Sequence, residues 1–123
     1  MKKELLELIL KALIDDKTES LNASEENYFI GKKVIVRTYT AGVFFGEIIE
    51  KKGEEVILKN ARRLFYWKTI NNGISLSEVA NEGLHKDSKV CAATSKHWMI
   101  AIELIECSAK AIKNIEAQNE YTA

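Results

Sequence analysis

The chain has 123 residues, of which 46% are hydrophobic and 29% are charged, so it suits a single hydrophobic core and has no room for two. Its 18 basic and 18 acidic residues give a formal net charge of zero, which disfavours non-specific binding to nucleic acid or to an anionic membrane. We therefore expect one domain spanning residues 1–123, with no general affinity for polyanions.

The first predicted element is a helix from Lys2 to about Ile14, in which Glu7 and Lys11 form an i,i+4 pair. Apolar side chains cover well over half of its circumference: Leu5, Leu6, Leu8, Ile9, Leu10, Ala12, Leu13 and Ile14. We expect residues 1–14 to be an oligomerisation helix, the alternative being burial in the chain's own core. Charges interrupt the apolar run and no cleavage site follows, so we read no signal peptide and expect a cytoplasmic protein.

A polar spacer, Asp15 to about Asn27, leads to a predicted β-rich body at residues 32–107. Three consecutive strands are predicted, at Lys33–Tyr39, Val43–Glu50 and Glu55–Trp67. Gly42 suits a positive φ in the first turn, and a bulge near Asn60 would interrupt the third strand.

The second half of the body is predicted to hold a short helix from Ser75 to about Asn81, ended by Gly83. Two strands, Lys89–Thr94 and Met99–Glu106, are predicted on either side of a turn at 95–98, and Ser108 caps a last helix over residues 108–118. The element order predicts an α+β fold with an N-terminal helix, a mainly antiparallel sheet of about five strands, a short helix and a C-terminal helix.

The segment Asn60–Trp67 concentrates two arginines and three aromatic rings in eight residues. Guanidinium groups bind phosphate or carboxylate and aromatic faces stack on bases, so this composition is typical of a nucleotide-binding surface. In an extended chain Arg63, Phe65 and Trp67 share one face, while Arg62 lies on the other. The alternative is that the rings are core residues and the arginines are solubilising charges.

Other residues of the three-strand region extend this chemistry. Arg37 and Tyr39 share a face of the first strand, beside a glycine turn, with Phe44 soon after. Asn60 and Asn71 flank the aromatic run and could read a base or ribose edge, or could simply form a bulge and a turn. The predicted ligand-binding residues are Arg37, Tyr39, Phe44, Asn60, Arg62, Arg63, Trp67 and Asn71.

Catalytic chemistry is poorly represented in the sequence. His85 and His97 lie in predicted loops outside any motif, and Cys91 and Cys107 have no histidine at metal-ligand spacing. Nucleophile, phosphate-loop and zinc-protease motifs are missing from the sequence. We expect a binding protein that is not an enzyme and uses no cofactor or metal.

Two sequence blocks carry a resemblance to a known family. Residues 36–43, VRTYTAGV, and residues 61–67, ARRLFYW, followed by LSEVA at 76–80, resemble small phage and prophage proteins with R-T-Y-S-A-G-V and A-R-R-I-x-Y-W blocks. The match covers about residues 32–107. This chain departs from the blocks at Thr40, where Ser is usual, and at residues 64–65.

The family so resembled is identified with the Thoeris anti-defence proteins of the first described type, whose N-terminal helix ahead of a β-rich body is similar. The resemblance implies a sponge that captures glycocyclic ADP-ribose, a signal made by a bacterial immune TIR enzyme, without destroying it. It also implies dimers or hexamers with pockets between protomers, action in the host cell cytoplasm, and in some members binding of cyclic di- or trinucleotides.

Two other functions fit the same residues. A single-stranded nucleic-acid binder would use the arginines and rings as a stacking platform, although the neutral net charge counts against it. A phage accessory protein that covers a host protein would use Trp67 and the arginines as interface anchors.

Overall fold

The computed structural model describes residues 28–122, and the predicted N-terminal helix lies outside them. Five strands and two helices follow in the order β1 Lys33–Thr38, β2 Val43–Lys52, β3 Glu55–Tyr66, α1 Leu76–Glu82, β4 Lys89–Val90, β5 Thr94–Glu106 and α2 Ala109–Glu116. All pairings between these strands are antiparallel, which confirms the mainly antiparallel α+β prediction. No helix within residues 28–122 is long and apolar enough to cross a membrane.

Four of the strands close into a small barrel. β1 pairs with β2 and with β5, and β3 pairs with the same two strands, so the ladder returns to its start. The two-residue strand β4 pairs with the end of β3, and its Val90 also forms a parallel bridge with Glu120. Closure satisfies the main-chain groups that an open sheet would leave at its edges.

Successive side chains along each strand point to opposite faces of the sheet, and this alternation produces two hydrophobic cores. The barrel interior is filled by Val34, Val36, Phe44, Ile48, Val56, Leu58, Ala61, Met99 and Ala101. The opposite side chains of the same strands pack beneath α1 and α2, in a cluster of Ile35, Val43, Phe45, Leu64, Val79, Ala80, Leu84, Val90, Cys107, Ala111 and Ile115. The helices therefore cover one side of the barrel.

The predicted bulge lies in β3 at Asn60, whose φ is 52°. Phe45 pairs with Arg62, whereas Glu47 pairs with Lys59, so two residues of β3 face Gly46 alone. A Cβ on Gly46 would lie 3.2 Å from the Cα of Ala61, so any side chain there would push the two strands apart by a few tenths of an ångström. The bulge changes the alternation and sets the directions of the arginines that follow it.

The capping residues of both helices are those the sequence predicts. The Ser75 hydroxyl accepts from the Glu78 N–H, and the Ser108 hydroxyl accepts from the Ala111 N–H. Gly83 ends α1 with a φ of 97°. The last helix ends at Glu116, two residues before its predicted end.

The prediction of a turn at residues 95–98 is wrong, because these residues belong to the continuous strand β5. His97 pairs with Leu58 and Trp98 pairs with Ile57. Residues 95–98 are therefore held in the sheet by hydrogen-bonded pairing with β3. The predicted strand Lys89–Thr94 shrinks to the two residues of β4. The polar residues before Trp98 form the exposed start of β5. Polarity alone does not distinguish the exposed start of a strand from a turn.

Candidate functional site

A cavity lies at one end of the barrel, between the β1–β2 turn and β5. Its volume is about 450 Å³. We call it the barrel-end cleft, and it is lined by Thr38, Tyr39, Thr40, Ala41, Glu54, His97, Trp98, Met99, Ile100 and Ile102. Sites for small ligands have volumes of roughly 300–1,000 Å³, so the cleft is large enough for one.

A tight turn fixes the first wall of the cleft. The Thr38 hydroxyl accepts from the Ala41 N–H at 2.9 Å and donates to the Gly42 carbonyl at 2.7 Å. Gly42 adopts a φ of 96°, which closes the turn within four residues. The side chain of Tyr39 is directed outward as a result and is 80% exposed.

Trp98 supplies the second wall. It alternates with the buried Met99, so its indole is directed out of the barrel and is 56% exposed. Ile102, also exposed, lines the cleft further along β5. Two aromatic faces, those of Tyr39 and Trp98, are therefore available on the lining of one cavity.

The cation Arg63 is connected to this cleft through two rings. The Arg63 guanidinium carbon is 4.7 Å from the centroid of the Phe44 ring, and the His97 ring centroid is 4.9 Å from the same point. Thr94 holds His97 through a contact of 3.2 Å between its hydroxyl and Nδ1. Arg63 is exposed and has no carboxylate within ion-pair distance among residues 28–122, which leaves its donors open to an anion.

Arg62 has a different environment, although it is the next residue. It is 7% exposed, and its donors reach four main-chain carbonyls: Cys91 at 2.9 Å, Ile115 and Gln118 at 3.0 Å, and Val90 at 3.4 Å. Burial lowers the pKa of its guanidinium below the ordinary value. The predicted role of Arg62 as a phosphate ligand finds no support here, because these donors already tie β4, α2 and the chain after α2 to β3.

Arg37 and Trp67 come together, but in another groove. This groove has a volume of about 380 Å³ and lies beside α1, between Trp67 and β5. Glu103 approaches Arg37 at 3.7 Å, and the Trp67 indole donates to the Ile74 carbonyl at 3.2 Å. A ligand phosphate at Arg37 would have to compete with a carboxylate.

The two asparagines have local structural roles. Asn60 holds the left-handed bulge conformation and borders a third, smaller groove beside Arg62. The Asn71 amide donates to the Glu78 carboxylate at 2.8 Å, which ties the loop after β3 to α1. These are the bulge and turn roles that the sequence left open as alternatives.

The eight predicted site residues are thus divided among several places on the barrel. Tyr39 lines the barrel-end cleft, where the structure adds His97 and Trp98. Phe44 is buried in the barrel interior, so its predicted role as a stacking face is wrong, and Arg63 lies on its ring. The sequence signal for Trp98 was the uninterrupted apolar run of residues 98–102, which is typical of a strand with contacts on both faces. The ligand-binding role of the remaining predicted site residues stays a prediction.

The described residues offer little metal or thiol chemistry. Within residues 28–122 no group of three or more His, Cys, Asp or Glu side chains could hold a metal ion. Cys107 is buried beneath the helices, and burial raises the pKa of its thiol to about 12. A thiol of that kind is a poor nucleophile at neutral pH.

Comparison with known proteins places the chain in a family. A family model described as a domain of unknown function, DUF6948, matches residues 31–115. No curated protein and no solved structure matches the chain. The matched region runs from just before β1 to the last turn of α2, so it includes the whole barrel and the cleft. Because the match covers more than half of the length of the chain, the chain belongs to the DUF6948 family.

Proposed function

We propose that this protein is a non-catalytic binder that captures a small phosphorylated purine, of the cyclic ADP-ribose class, in the barrel-end cleft. The observation that carries the proposal is that Tyr39 and Trp98 expose their rings on one cavity. Arg63 is connected to this cavity through Phe44 and His97, and it has no carboxylate partner within residues 28–122. A purine would stack on the rings, and a phosphate would accept hydrogen bonds from the guanidinium.

The magnitudes favour a small ligand at this position. Stacking of a base on an aromatic side chain contributes about 1–3 kcal/mol, and an arginine–phosphate hydrogen bond about 1.5–3 kcal/mol. The cavity of about 450 Å³ suits one nucleotide better than a polymer. The Phe44 ring holds Arg63 on one side, which reduces the entropy lost when it binds.

The resemblance of residues 36–43 and 61–67 to phage and prophage proteins supports a more specific form of the proposal. The ligand would be glycocyclic ADP-ribose, and its capture would starve the effector of Thoeris immunity in the host cytoplasm. In dimers or hexamers, a neighbouring copy would complete the open side of the cleft. Cyclic oligonucleotides are further candidate ligands on the same grounds.

Isothermal titration with cyclic ADP-ribose isomers tests the proposal, with linear ADP-ribose as the comparison ligand. Tyr39→Ala and Trp98→Ala should each weaken binding by about tenfold or more, because each removes a stacking face. Phe65→Ala is the matched control, since Phe65 is also an exposed ring on the barrel but stacks on Tyr121. Equal losses in all three variants, or no heat with any isomer, would contradict the proposal.

One observation favours a second candidate, a single-stranded nucleic-acid binder. Lys59 and Lys96 pair directly across β3 and β5 and both are exposed, next to the pair that contains His97. Two adjacent cations beside exposed rings suit a stretch of phosphate backbone. Oligonucleotide binding that falls steeply with salt, together with weak binding of mononucleotides, would favour this candidate over the sponge.

A further inference from the structure

The loop between β3 and α1 contains the only Asn-Gly pair of the sequence, Asn72–Gly73. In such a pair the main-chain nitrogen of the glycine can attack the side-chain amide of the asparagine. A bond forms between the Gly73 nitrogen and Asn72 Cγ, the bond from Cγ to the amide nitrogen breaks, and ammonia leaves with the proton that Gly73 loses. Water then opens the succinimide to aspartate or isoaspartate. Glycine has no Cβ to hinder the attack, so this pair is the candidate for spontaneous deamidation.

A tight turn built on Thr69 holds this pair. Thr69 is fully buried, its N–H donates to the Gly73 carbonyl at 2.9 Å, and its carbonyl accepts from the Asn72 N–H at 2.9 Å. The Thr69 hydroxyl accepts from the Gly73 N–H at 2.8 Å. Asn72 has a φ of 64°, a left-handed conformation that asparagine adopts more readily than most residues. Three hydrogen bonds to one buried residue therefore fix the position of the Gly73 nitrogen.

The Thr69 hydroxyl opposes the attack because of its direction. An amide nitrogen is planar, so the new bond to Asn72 Cγ must take the direction that the Gly73 N–H bond has in the unmodified chain. In the folded protein the hydroxyl oxygen of Thr69 occupies that direction. Asn72 is exposed, so water reaches its amide, but the amide carbon reaches the nitrogen only after this hydrogen bond opens.

We propose that Asn72–Gly73 is a deamidation site that the Thr69 hydroxyl keeps closed in the folded protein. Opening of one hydrogen bond frees the Gly73 nitrogen, so the rate of modification follows the fraction of molecules in which this turn is open. The modification adds a carboxylate to the loop, and isoaspartate also adds a methylene to the main chain.

The same loop is tied to the groove beside α1. The Asn71 amide donates to the Glu78 carboxylate, and the Ile74 carbonyl accepts from the Trp67 indole at 3.2 Å. Isoaspartate at position 72 lengthens the main chain between these two ties and so loosens the Trp67 contact. Modification therefore alters the groove that Trp67 and Ile74 line, whereas the barrel-end cleft has no lining residue in this loop.

Peptide mapping by mass spectrometry tests the site during incubation of the full-length chain at mildly alkaline pH. Thr69→Val should deamidate at Asn72 about tenfold faster than the parent, the rate change that loss of one hydrogen bond gives. Thr69→Ser is the matched control, because it keeps the hydroxyl and should keep the slow rate. Equal rates in the parent and in Thr69→Val, or no deamidation of Asn72 in the urea-denatured chain, would overturn the proposal.

Hydrogen exchange supplies a measurement that does not depend on the folding of a variant. The Gly73 amide of the parent protein should be protected from exchange, because its N–H donates to a buried hydroxyl. Circular dichroism shows whether Thr69→Val and Thr69→Ser are folded. A Gly73 amide that exchanges as fast as in the urea-denatured chain would show that the turn is open and would overturn the role of Thr69.

Fluorescence tests the link to the groove beside α1. Trp98→Phe leaves Trp67 as the only tryptophan, since the sequence has two. In that background the deamidated protein is separated from the unmodified protein by anion exchange, and its Trp67 emission should shift to the red as water reaches the indole. Identical emission from the two fractions would overturn the link between the modification and this groove.

Discussion

Arg62 and Arg63 are neighbours in β3, yet their side chains enter opposite environments. Arg62 is directed toward the helices, where four main-chain carbonyls surround its guanidinium. Arg63 lies on the Phe44 ring at the barrel end, exposed and without a carboxylate partner in residues 28–122. The bulge at Asn60 sets this division, because it fixes which of the two arginines continues the inner face of the barrel.

The first prediction concerns Arg62. Arg62→Met should lower the free energy of unfolding by about 1.5–3 kcal/mol, because the Cys91 carbonyl loses its charged donor. The Val90 and Ile115 carbonyls also lose Arg62 but keep main-chain donors. Urea denaturation followed by circular dichroism measures the change. Arg63→Met is the control and should cost less than about 1 kcal/mol, the value of one exposed cation–π contact. Equal costs for the two variants would contradict the division of roles.

The second prediction concerns ligand binding by Arg63 and rests on the proposed function. Arg63→Gln should weaken capture of a cyclic ADP-ribose isomer by about 1.5–3 kcal/mol, because a neutral amide replaces the charged donor near the cleft. Titration calorimetry of the variant and of the parent chain gives this difference. Arg37→Gln is the matched control, since Arg37 is an exposed arginine in a different groove that already has Glu103 as a partner. A loss in Arg37→Gln alone would move the site to the groove beside α1.

The third prediction separates the structural role of Asn60 from a ligand contact. Asn60→Gly should keep the stability within about 1 kcal/mol, because glycine accepts a φ of 52° without strain. Asn60→Val should destabilise the fold by about 1–3 kcal/mol, since a β-branched residue is strained there. Thermal denaturation of both variants checks this pair of results. If Asn60→Gly also lost ligand affinity, the side chain would be a ligand contact as well as a bulge former.

The fourth prediction concerns pH. Burial raises the pKa of the Cys107 thiol from 9.0 to about 12, so the folded protein keeps a proton that the unfolded chain releases. The free energy of unfolding should therefore fall as the pH rises above 9, by up to about 1.4 kcal/mol per pH unit, and be unaffected by this thiol below that pH. The difference between the parent chain and Cys107→Ala, measured by urea denaturation at several pH values, isolates the effect. Parallel curves for the two proteins would contradict it.

Much of the fold could be predicted because local signals and tertiary structure agree. Gly42 with a φ of 96°, the bulge at Asn60 and the caps at Ser75 and Ser108 all depend on the chemistry of single residues. Such signals need no knowledge of distant contacts. The barrel closure was not predictable in this way, because it depends on pairing of β5 with both β1 and β3 across long sequence separations.

The candidate site was harder to predict for the same reason. The sequence placed Arg62 and Arg63 on opposite faces of one strand and predicted both as phosphate ligands, whereas burial shows that Arg62 is structural and that Arg63 is open. Trp98 was assigned to a turn, although its position in β5 brings it to the cleft. Residue type predicts the chemistry that a side chain can perform, but strand register determines which side chains meet.

The most direct test of the central claim is mass spectrometry of the small molecules that heat denaturation releases from the full-length protein. The protein is purified from cells that make TIR-derived cyclic ADP-ribose signals, in parallel with its Trp98→Ala variant. The account predicts that the parent protein releases unaltered cyclic nucleotide near one molecule per site and that the variant releases much less. Release of none, of hydrolysed nucleotide, or of equal amounts from both proteins would contradict it.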